Sequence, residues 1–201
     1  YMQGEPVHAP TRVFEKVSTD LQIPFTQSPY GAQYSMDVTD VYSGLVITYA
    51  LKHKSDAAGL LTAYCEMAEK SEHGGIRYLV TDHEGEFTSN NFTQYLATKG
   101  IQHLTGPSRT PNYSAVAERN NRTLLEMTRA LLFQARLSET FWPLARNTAV
   151  FLRNKCPRSS NPKSMTPYQI FFWKKPDFSK PRVFGSSCYV HIHSAERGKL
   201  E

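Results

Sequence analysis

Cysteine is scarce in this chain. Its 201 residues include three cysteines, Cys65, Cys156 and Cys188, which lie far apart and form no CxxC pair. That spacing disfavours both a disulfide scaffold and a self-contained zinc site, and it favours a reducing compartment. The sequence also lacks a long apolar run and a signal-peptide pattern. We therefore expect a soluble, intracellular protein with no membrane partner.

The chain also lacks an initiating methionine and a strong charge imbalance. It begins at Tyr1, so we expect it to be a piece of a longer protein. The 23 basic and 18 acidic residues give a net charge of +5, a modest hint of a polyanionic partner. Apolar residues make up 40% of the chain, enough for one core-bearing domain plus extensions.

The first half of the chain predicts strands joined by short turns. Apolar and β-branched residues favour strands over residues 14–25, 33–39 and 45–51. Because the links between them are short, we expect an antiparallel meander. Ser55 is the predicted N-cap of a helix over residues 56–71.

The next stretch alternates strands and helices. Strands are predicted over residues 76–81 and 101–105, with a helix between them that is capped by Ser89 or Asn90 and ends at Lys99. Such connections are crossovers, which require parallel pairing. The predicted fold is therefore α/β, with a five-stranded mixed sheet flanked by helices on both faces.

Helical periodicity dominates the second half of the chain. Two long helices are predicted over residues 115–133 and 138–154, then a short apolar helical turn over 168–173 and a hairpin fragment or edge strand over 183–192. Phe141 and Trp142 are expected in the core or a subunit interface. The predicted segments are an N-terminal arm at 1–13, a core at 14–156, and a C-terminal extension at 157–201 that packs on the core, through Phe171, Phe172 and Trp173 among others.

Three acids are candidates for a metal site. Asp20 falls in the first predicted strand, Asp82 ends the fourth, and Glu118 lies in the first turn of the helix predicted over residues 115–133. The first and fourth strands can be adjacent and parallel, which would bring Asp20 and Asp82 to one edge. Three carboxylates in one cleft repel each other unless cations lie between them. Oxygen ligands suit Mg²⁺, and paired ions suit phosphodiester chemistry.

Spacing alone leaves other acids open. Most acidic side chains are solvated surface groups, and four further carboxylates lie near the same strands. These are Asp37, Asp40, Glu84 and Glu86.

The blocks around the three acids resemble those of retroviral-type integrases. They read TDL at 19–21, VTDHEGEF at 80–87 and VAERNNRT at 116–123, with 35 residues between Asp82 and Glu118. Further matches are similar to the Ty1/copia class of LTR retrotransposons in particular. They are Tyr42-Ser43-Gly44, residues 52–55, Gly100-Ile101 with His103, Phe141-Trp142, Asn154, Thr166-Pro167-Tyr168 and Val183-Phe184-Gly185.

The resemblance implies an RNase H-like core and a magnesium-dependent DNA integrase, a polynucleotidyl transferase with endonuclease activity. Asp20, Asp82 and Glu118 would be both the catalytic residues and the ligands of two Mg²⁺ or Mn²⁺ ions. The implied reactions are 3′-end processing and strand transfer of element cDNA. Implied partners are the LTR ends of that cDNA, target DNA and further copies in a homo-oligomer, with action in the nucleus after a cytoplasmic particle. A zinc-binding N-terminal module and a C-terminal region would belong to the full-length protein.

Two departures from the family pattern keep alternatives open. Asp82-His83-Glu84-Gly85 stands where Asp-Asn-Gly is usual, and Asn112-Tyr113-Ser114-Ala115 replaces Gln-Asn-Gly in a loop expected before Glu118. Ala115 lacks the freedom of glycine at positive φ. The alternatives are an RNase H-type nuclease, or a domesticated, catalytically weak copy that binds DNA or assembles.

Side chains around Glu118 are the predicted DNA contacts. Arg122 and Arg129 follow Glu118 by four and eleven residues, so they share its side of the helix. Arg122 is expected to reach a phosphate, and Asn121 a base or backbone oxygen. Arg119 is a further candidate that could equally pair with a surface acid. Tyr113 could stack on a base.

Overall fold

A five-stranded mixed sheet organises the computed structural model. The structure describes residues 9–22, 25–81, 85–105 and 111–189, and for residue 86 and residues 111–119 it describes the backbone alone. The strands are β1 (Lys16–Gln22), β2 (Tyr34–Asp40), β3 (Val46–Leu51), β4 (Tyr78–Thr81) and β5 (Gln102–Thr105). Their order across the sheet is β3-β2-β1-β4-β5.

The pairing directions confirm both halves of the topology prediction. Strands β1, β2 and β3 pair antiparallel, as short links require. Strands β4 and β5 join β1 in parallel, because each is reached through a helical crossover. The first strand is shorter than predicted: Phe14 lies in a turn with φ 62°, and Phe25 lies outside the strand.

Helices cover both faces of the sheet. They are α1 (Asp56–Glu69), α2 (Asn90–Thr98), α3 (Pro111–Ala135), α4 (Trp142–Lys155) and α5 (Pro167–Phe172). One face packs Val17, Leu21 and Met36 against α1 and α2 in the main core. The other packs Val46 against Leu124 of α3 and against α4. The predicted α/β architecture is confirmed.

The helix ends agree in part with the predicted signals. Ser89 caps α2 and accepts a hydrogen bond from the Phe92 backbone N–H at 3.4 Å. Gly100 follows α2 with φ 65°, a conformation that glycine adopts without strain. Ser55 occupies the N-cap position of α1 but forms no side-chain cap bond. Instead Asp56 Oδ2 accepts a hydrogen bond from the His53 backbone N–H at 3.1 Å.

The prediction of a loop over residues 112–115 is wrong. Helix α3 begins at Pro111, so the backbone of these four residues is already helical. Proline is favourable at the first position of a helix, because its fixed φ suits the helix and its missing N–H would have no partner there. Glu118 therefore lies in the third turn of α3 and not in the first.

The C-terminal extension differs from its prediction in two respects. No strand forms over residues 183–189, the described part of the predicted edge strand; residues 190–192 lie outside the described residues. Phe171 is buried in the main core as predicted, whereas the side chains of Phe172 and Trp173 are 51% and 71% exposed. Gly185 lies so close to the end of α3 that a Cβ atom there would collide with Ala135.

The boundaries of the predicted arm, core and C-terminal extension stay predictions, but the structure places Trp142 in the core. Trp142 is buried, stacks on Phe25 with ring centroids 4.4 Å apart, and donates from Nε1 to the Thr26 carbonyl, which confirms the core alternative for Trp142. Phe141 is partly buried beside it. Among the described residues, no helix combines the length and apolarity that a membrane crossing needs.

Candidate active site

Asp20 lies in the second half of β1, on the face of the sheet that α3 and α4 cover. Val17 and Leu21 are buried under α1 and α2, and side chains alternate along a strand, so Asp20 is directed to the opposite face. Its Cα pairs with that of Asp37 in β2. The Asp20 side chain is only partly buried, so a carboxylate here is open to solvent and ligands.

Helix α3 is attached to β1 at this carboxylate. The Asn121 side-chain amide donates a hydrogen bond from Nδ2 to Asp20 Oδ2. Glu118 precedes Asn121 by three residues in the same helix, and positions three apart share one face. The backbone thus puts the Glu118 position one turn from a direct contact with Asp20, although the Glu118 side chain itself lies outside the described residues.

The second acid follows β4 directly. Strand β4 ends at Thr81, and its register pairs Val80 with Ser18. Asp20 therefore follows Ser18 by two residues, and Asp82 follows its partner Val80 by two residues. Asp82, with His83 and Glu84, lies outside the described residues. What the structure does describe is the last residue before Asp82: Thr81 Oγ1 lies 2.9 Å from Nε2 of His103 in β5.

Two of the competing acids have structural partners. Asp37 is 2% exposed and forms a bidentate ion pair with Arg146, with Asp37 Oδ2 2.5 Å from Nη2. Asp40 is fully buried and accepts hydrogen bonds from the Phe14 N–H and from the Ser43 N–H and hydroxyl. Burial raises the pKa of Asp40, and the Ser43 bonds oppose that shift. The side chains of Glu84 and Glu86 lie outside the described residues.

Helix α4 holds both α3 and the sheet through polar contacts. Arg153 donates from Nη2 to Asn120 Oδ1 at 2.6 Å and from Nη1 to the Gly44 carbonyl at 3.1 Å. Burial, and then the nearby Arg158, lower the pKa of Arg153 to about 10. Asn154 bonds both the N–H and the carbonyl of Val46 on edge strand β3. Asn120 is thus fixed beside the Glu118 and Asn121 positions.

Sequence reasoning missed Arg146 and Arg153. Their signal was present, because both stand seven residues apart on the stripe of α4 that also carries the buried Ala145 and Ala149. A charged residue within a buried stripe needs a partner. Asn121 was predicted as a DNA contact, and its bond to Asp20 was not anticipated.

The other predicted DNA contacts stay predictions. Arg122 is exposed and pairs with Glu126 one turn later, with Nε 3.0 Å from Oε1. Arg129 is exposed on the same helix. The side chains of Tyr113 and Arg119 lie outside the described residues.

The predicted metal ligands are not tested by the described residues. Within that part of the chain, no group of three or more His, Cys, Asp or Glu side chains could hold a metal ion. Asp20 alone of the predicted three has a described side chain.

His103 is expected to make the folded protein less stable at acidic pH. Burial lowers the pKa of His103 below 6.5, so the unfolded chain binds the proton more readily than the folded one. Stability is therefore full above pH 6.5 and falls as the pH drops through the lowered folded pKa. His103→Gln keeps a hydrogen-bonding group near Thr81 but does not titrate. Urea denaturation at a series of pH values should show a smaller loss of stability below pH 6.5 in this variant; equal losses would contradict the prediction.

The sequence matches a known family over its first half. Residues 10–111, just over half of the chain, match the family described as "Integrase core domain". The matched segment contains Asp20 and Asp82 and ends before Glu118.

Polyproteins of plant transposons are among the relatives of the chain. The chain is 32% identical over 169 residues to "Retrovirus-related Pol polyprotein from transposon RE2" of Arabidopsis thaliana, covering 84% of the chain and 11% of that protein. It is 31% identical over 176 residues to the polyprotein from transposon TNT 1-94 of Nicotiana tabacum, covering 87% of the chain and 13% of that protein. The chain spans roughly an eighth of the length of these relatives.

Solved structures show the same fold at low identity. The HTLV-2 integrase catalytic core domain, in complex with magnesium and in a trimeric form, superposes with a TM-score of 0.59 at 19% identity, covering 80% of this chain and 98% of that one. A simian T-cell lymphotropic virus intasome in complex with PP2A regulatory subunit B56 gamma gives a TM-score of 0.64 at 16% identity, covering 94% and 63%. At these identities the likeness is evidence of fold alone.

Proposed function

Since the chain belongs to the family of integrase core domains, we propose that it is the catalytic core of a retrotransposon integrase, which processes the 3′ ends of element cDNA and joins them to target DNA. The observation that carries this proposal is the hydrogen bond from Asn121 to Asp20. It attaches the helix that contains Glu118 to the strand that contains Asp20, beside the end of β4 that precedes Asp82.

In this proposal Asp20, Asp82 and Glu118 hold two Mg²⁺ or Mn²⁺ ions. The donors suit such cations, since carboxylate oxygens are the hard ligands that Mg²⁺ binds, and Asp20 is accessible on its sheet face. Bound cations would act as Lewis acids that activate a water or 3′-hydroxyl and stabilise the leaving oxygen. The magnesium named with the HTLV-2 core domain supports the choice of cation.

DNA contacts are proposed along the exposed side of α3. Arg122 and Arg129 are accessible to phosphates. The pair of Arg122 with Glu126 does not prevent this, because an exposed ion pair contributes only about 0 to 1 kcal/mol. Arg119 and Tyr113 remain candidates. The Asn121 amide donates to Asp20. It would contact DNA only if it left this hydrogen bond or formed a second one.

Partners and place of action are part of the same proposal. They are the LTR ends of the cDNA, target DNA and further copies of the chain, with a zinc-binding N-terminal module and a C-terminal region in the full-length protein. The trimeric form and the intasome named among the structural relatives support an oligomer on DNA. We propose action in the nucleus, preceded by a cytoplasmic particle.

The test is the joining of oligonucleotides with the element's LTR-end sequence to plasmid DNA. We expect joining that requires Mg²⁺ or Mn²⁺ and that is lost in Asp82→Asn and in Glu118→Gln. A control, Glu66→Gln on the exposed side of α1, removes one carboxylate charge elsewhere and should leave joining unchanged.

Three outcomes would contradict the proposal in distinct ways. Full joining by either acid variant would remove that residue from the catalytic set. Degradation of RNA–DNA hybrids without joining would favour an RNase H-type nuclease. DNA binding with no cation-dependent cleavage of any substrate would favour a domesticated copy.

A further inference from the structure

A fourth carboxylate lies beside the candidate active site. Asp37 in β2 is the direct cross-strand partner of Asp20 in β1. Directly opposed residues of an antiparallel pair project from the same face, with Cβ atoms about 4.5 to 5.5 Å apart. Asp37 therefore stands on the same sheet face as Asp20, next to it and under α4.

Arg146 of α4 forms a buried ion pair with the Asp37 carboxylate. Its Nη2 and Nε groups bind the two oxygens of Asp37 at 2.5 and 3.4 Å. The side chains are 1% and 3% exposed, so the charges compensate each other away from water. The third nitrogen, Nη1, is buried with no hydrogen-bond partner among the described residues. Arginine is suited to this task because it stays charged when buried and binds a carboxylate with two donors.

The two charges have opposite effects on a cation held by Asp20. An uncompensated Asp37 would add a negative charge, and an oxygen ligand, next to the ions. An uncompensated Arg146 would place a buried positive charge at a similar distance. With both present, the Asp37–Arg146 pair adds no net charge beside Asp20.

We propose that Asp37 is a latent fourth carboxylate of the active site and that Arg146 is a positioning residue that withholds it from divalent cations. The inference rests on the proposed function, in which Asp20 is a metal ligand. It goes beyond that function by assigning a role in cation affinity to two residues outside the Asp20, Asp82 and Glu118 set.

The test compares half-saturating Mg²⁺ and Mn²⁺ concentrations, read from the cation-dependent rise in melting temperature. Arg146→Met should lower the half-saturating concentration and Asp37→Asn should raise it. We expect a change of about tenfold in each, the order of magnitude for a unit charge several ångströms from a divalent cation in a solvated site. Arg146→Lys, which keeps the charge, and the double variant Asp37→Asn/Arg146→Met should both stay near wild type.

The half-saturating concentration should shift in opposite directions in Arg146→Met and Asp37→Asn, which distinguishes this role from a structural one. A purely structural ion pair would change the melting temperature in chelator but would leave every half-saturating concentration unchanged, and that result would overturn the inference. If Arg146→Met alone does not fold, Asp37→Asn and the double variant still decide it: midpoints equal to wild type in Asp37→Asn would overturn it.

Two controls separate this inference from the proposed function. Lys99→Met and Glu69→Gln make the same charge changes in the exposed ion pair of 2.6 Å between α1 and the end of α2, on the other side of the sheet, and should shift neither midpoint. Asp20→Asn should abolish the cation response. If wild type shows no response that depends on Asp20, the proposed metal site fails; if it does respond and the midpoints do not move with Asp37 and Arg146, only this inference fails.

Discussion

Asp37→Ala is expected to lower the free energy of unfolding by about 3 to 5 kcal/mol. The substitution leaves the Arg146 guanidinium, 1% exposed, without its only anionic partner in the described structure. A buried charge without a partner keeps its desolvation cost and loses the attraction that offset it. Urea denaturation monitored by circular dichroism, in the presence of chelator, measures the change.

The matched control is the surface ion pair. Glu69→Ala removes the partner of Lys99, with both side chains substantially exposed. It should lower the free energy of unfolding far less than Asp37→Ala does, because exposed ion pairs contribute little to stability. The apolar double variant Asp37→Leu/Arg146→Met should recover most of the stability lost in Asp37→Ala, because neither charge is then buried. A loss below about 1 kcal/mol in Asp37→Ala would mean that water or another group compensates Arg146.

The sheet could be predicted because its information is local. Each strand is a short segment that carries apolar or β-branched residues. The lengths of the connections decide the pairing: short turns give the antiparallel β1–β2–β3 meander, and helical crossovers give parallel β4 and β5. The position of Asp20 beside the strand that leads to Asp82 is a consequence of that topology alone.

The polar contacts between the layers could not be predicted in the same way. Asp37 and Arg146 are separated by 109 residues, and Asn120 and Arg153 by 33. Nothing in the local pattern states which acid receives which arginine; only the packing of α4 on the sheet decides it. For this reason Asp37 stayed open as a metal ligand in the sequence analysis, and its partner, Arg146 of α4, was not predicted.

Two boundary errors arose where residue propensities favoured the wrong structure. Asn112, Tyr113 and Ser114 are weak helix formers after a proline, which favours a loop by propensity, yet the helix begins at Pro111. Val183 and Phe184 are typical of strands, yet this segment lies at the end of α3, where Gly185 approaches Ala135, and forms no strand over residues 183–189. At residues 183–189 this packing outweighs intrinsic propensity, whereas at the start of α3 the proline at the first helical position favours the helix.

Asp20→Asn is expected to lower the rate of DNA joining by about a thousandfold or more, equivalent to ~4 kcal/mol of activation free energy, while leaving the fold intact. The asparagine keeps the size of the aspartate and an oxygen that can accept the hydrogen bond from Asn121. It lacks the negative charge that a ligand of two divalent cations must supply.

In Asp20→Asn the free energy of unfolding should stay the same or rise slightly, although the joining activity is lost. In the proposed function Asp20 shares the site with Asp82 and Glu118, and without bound cations these acids repel one another. Removing one charge is therefore expected to leave the urea midpoint in chelator unchanged or slightly raised, while joining is lost. Such an opposition is typical of residues kept for function at some cost in stability. A variant that lost activity only in proportion to a lost fold would make Asp20 a structural acid, and one that joined DNA at the wild-type rate would place the reaction elsewhere.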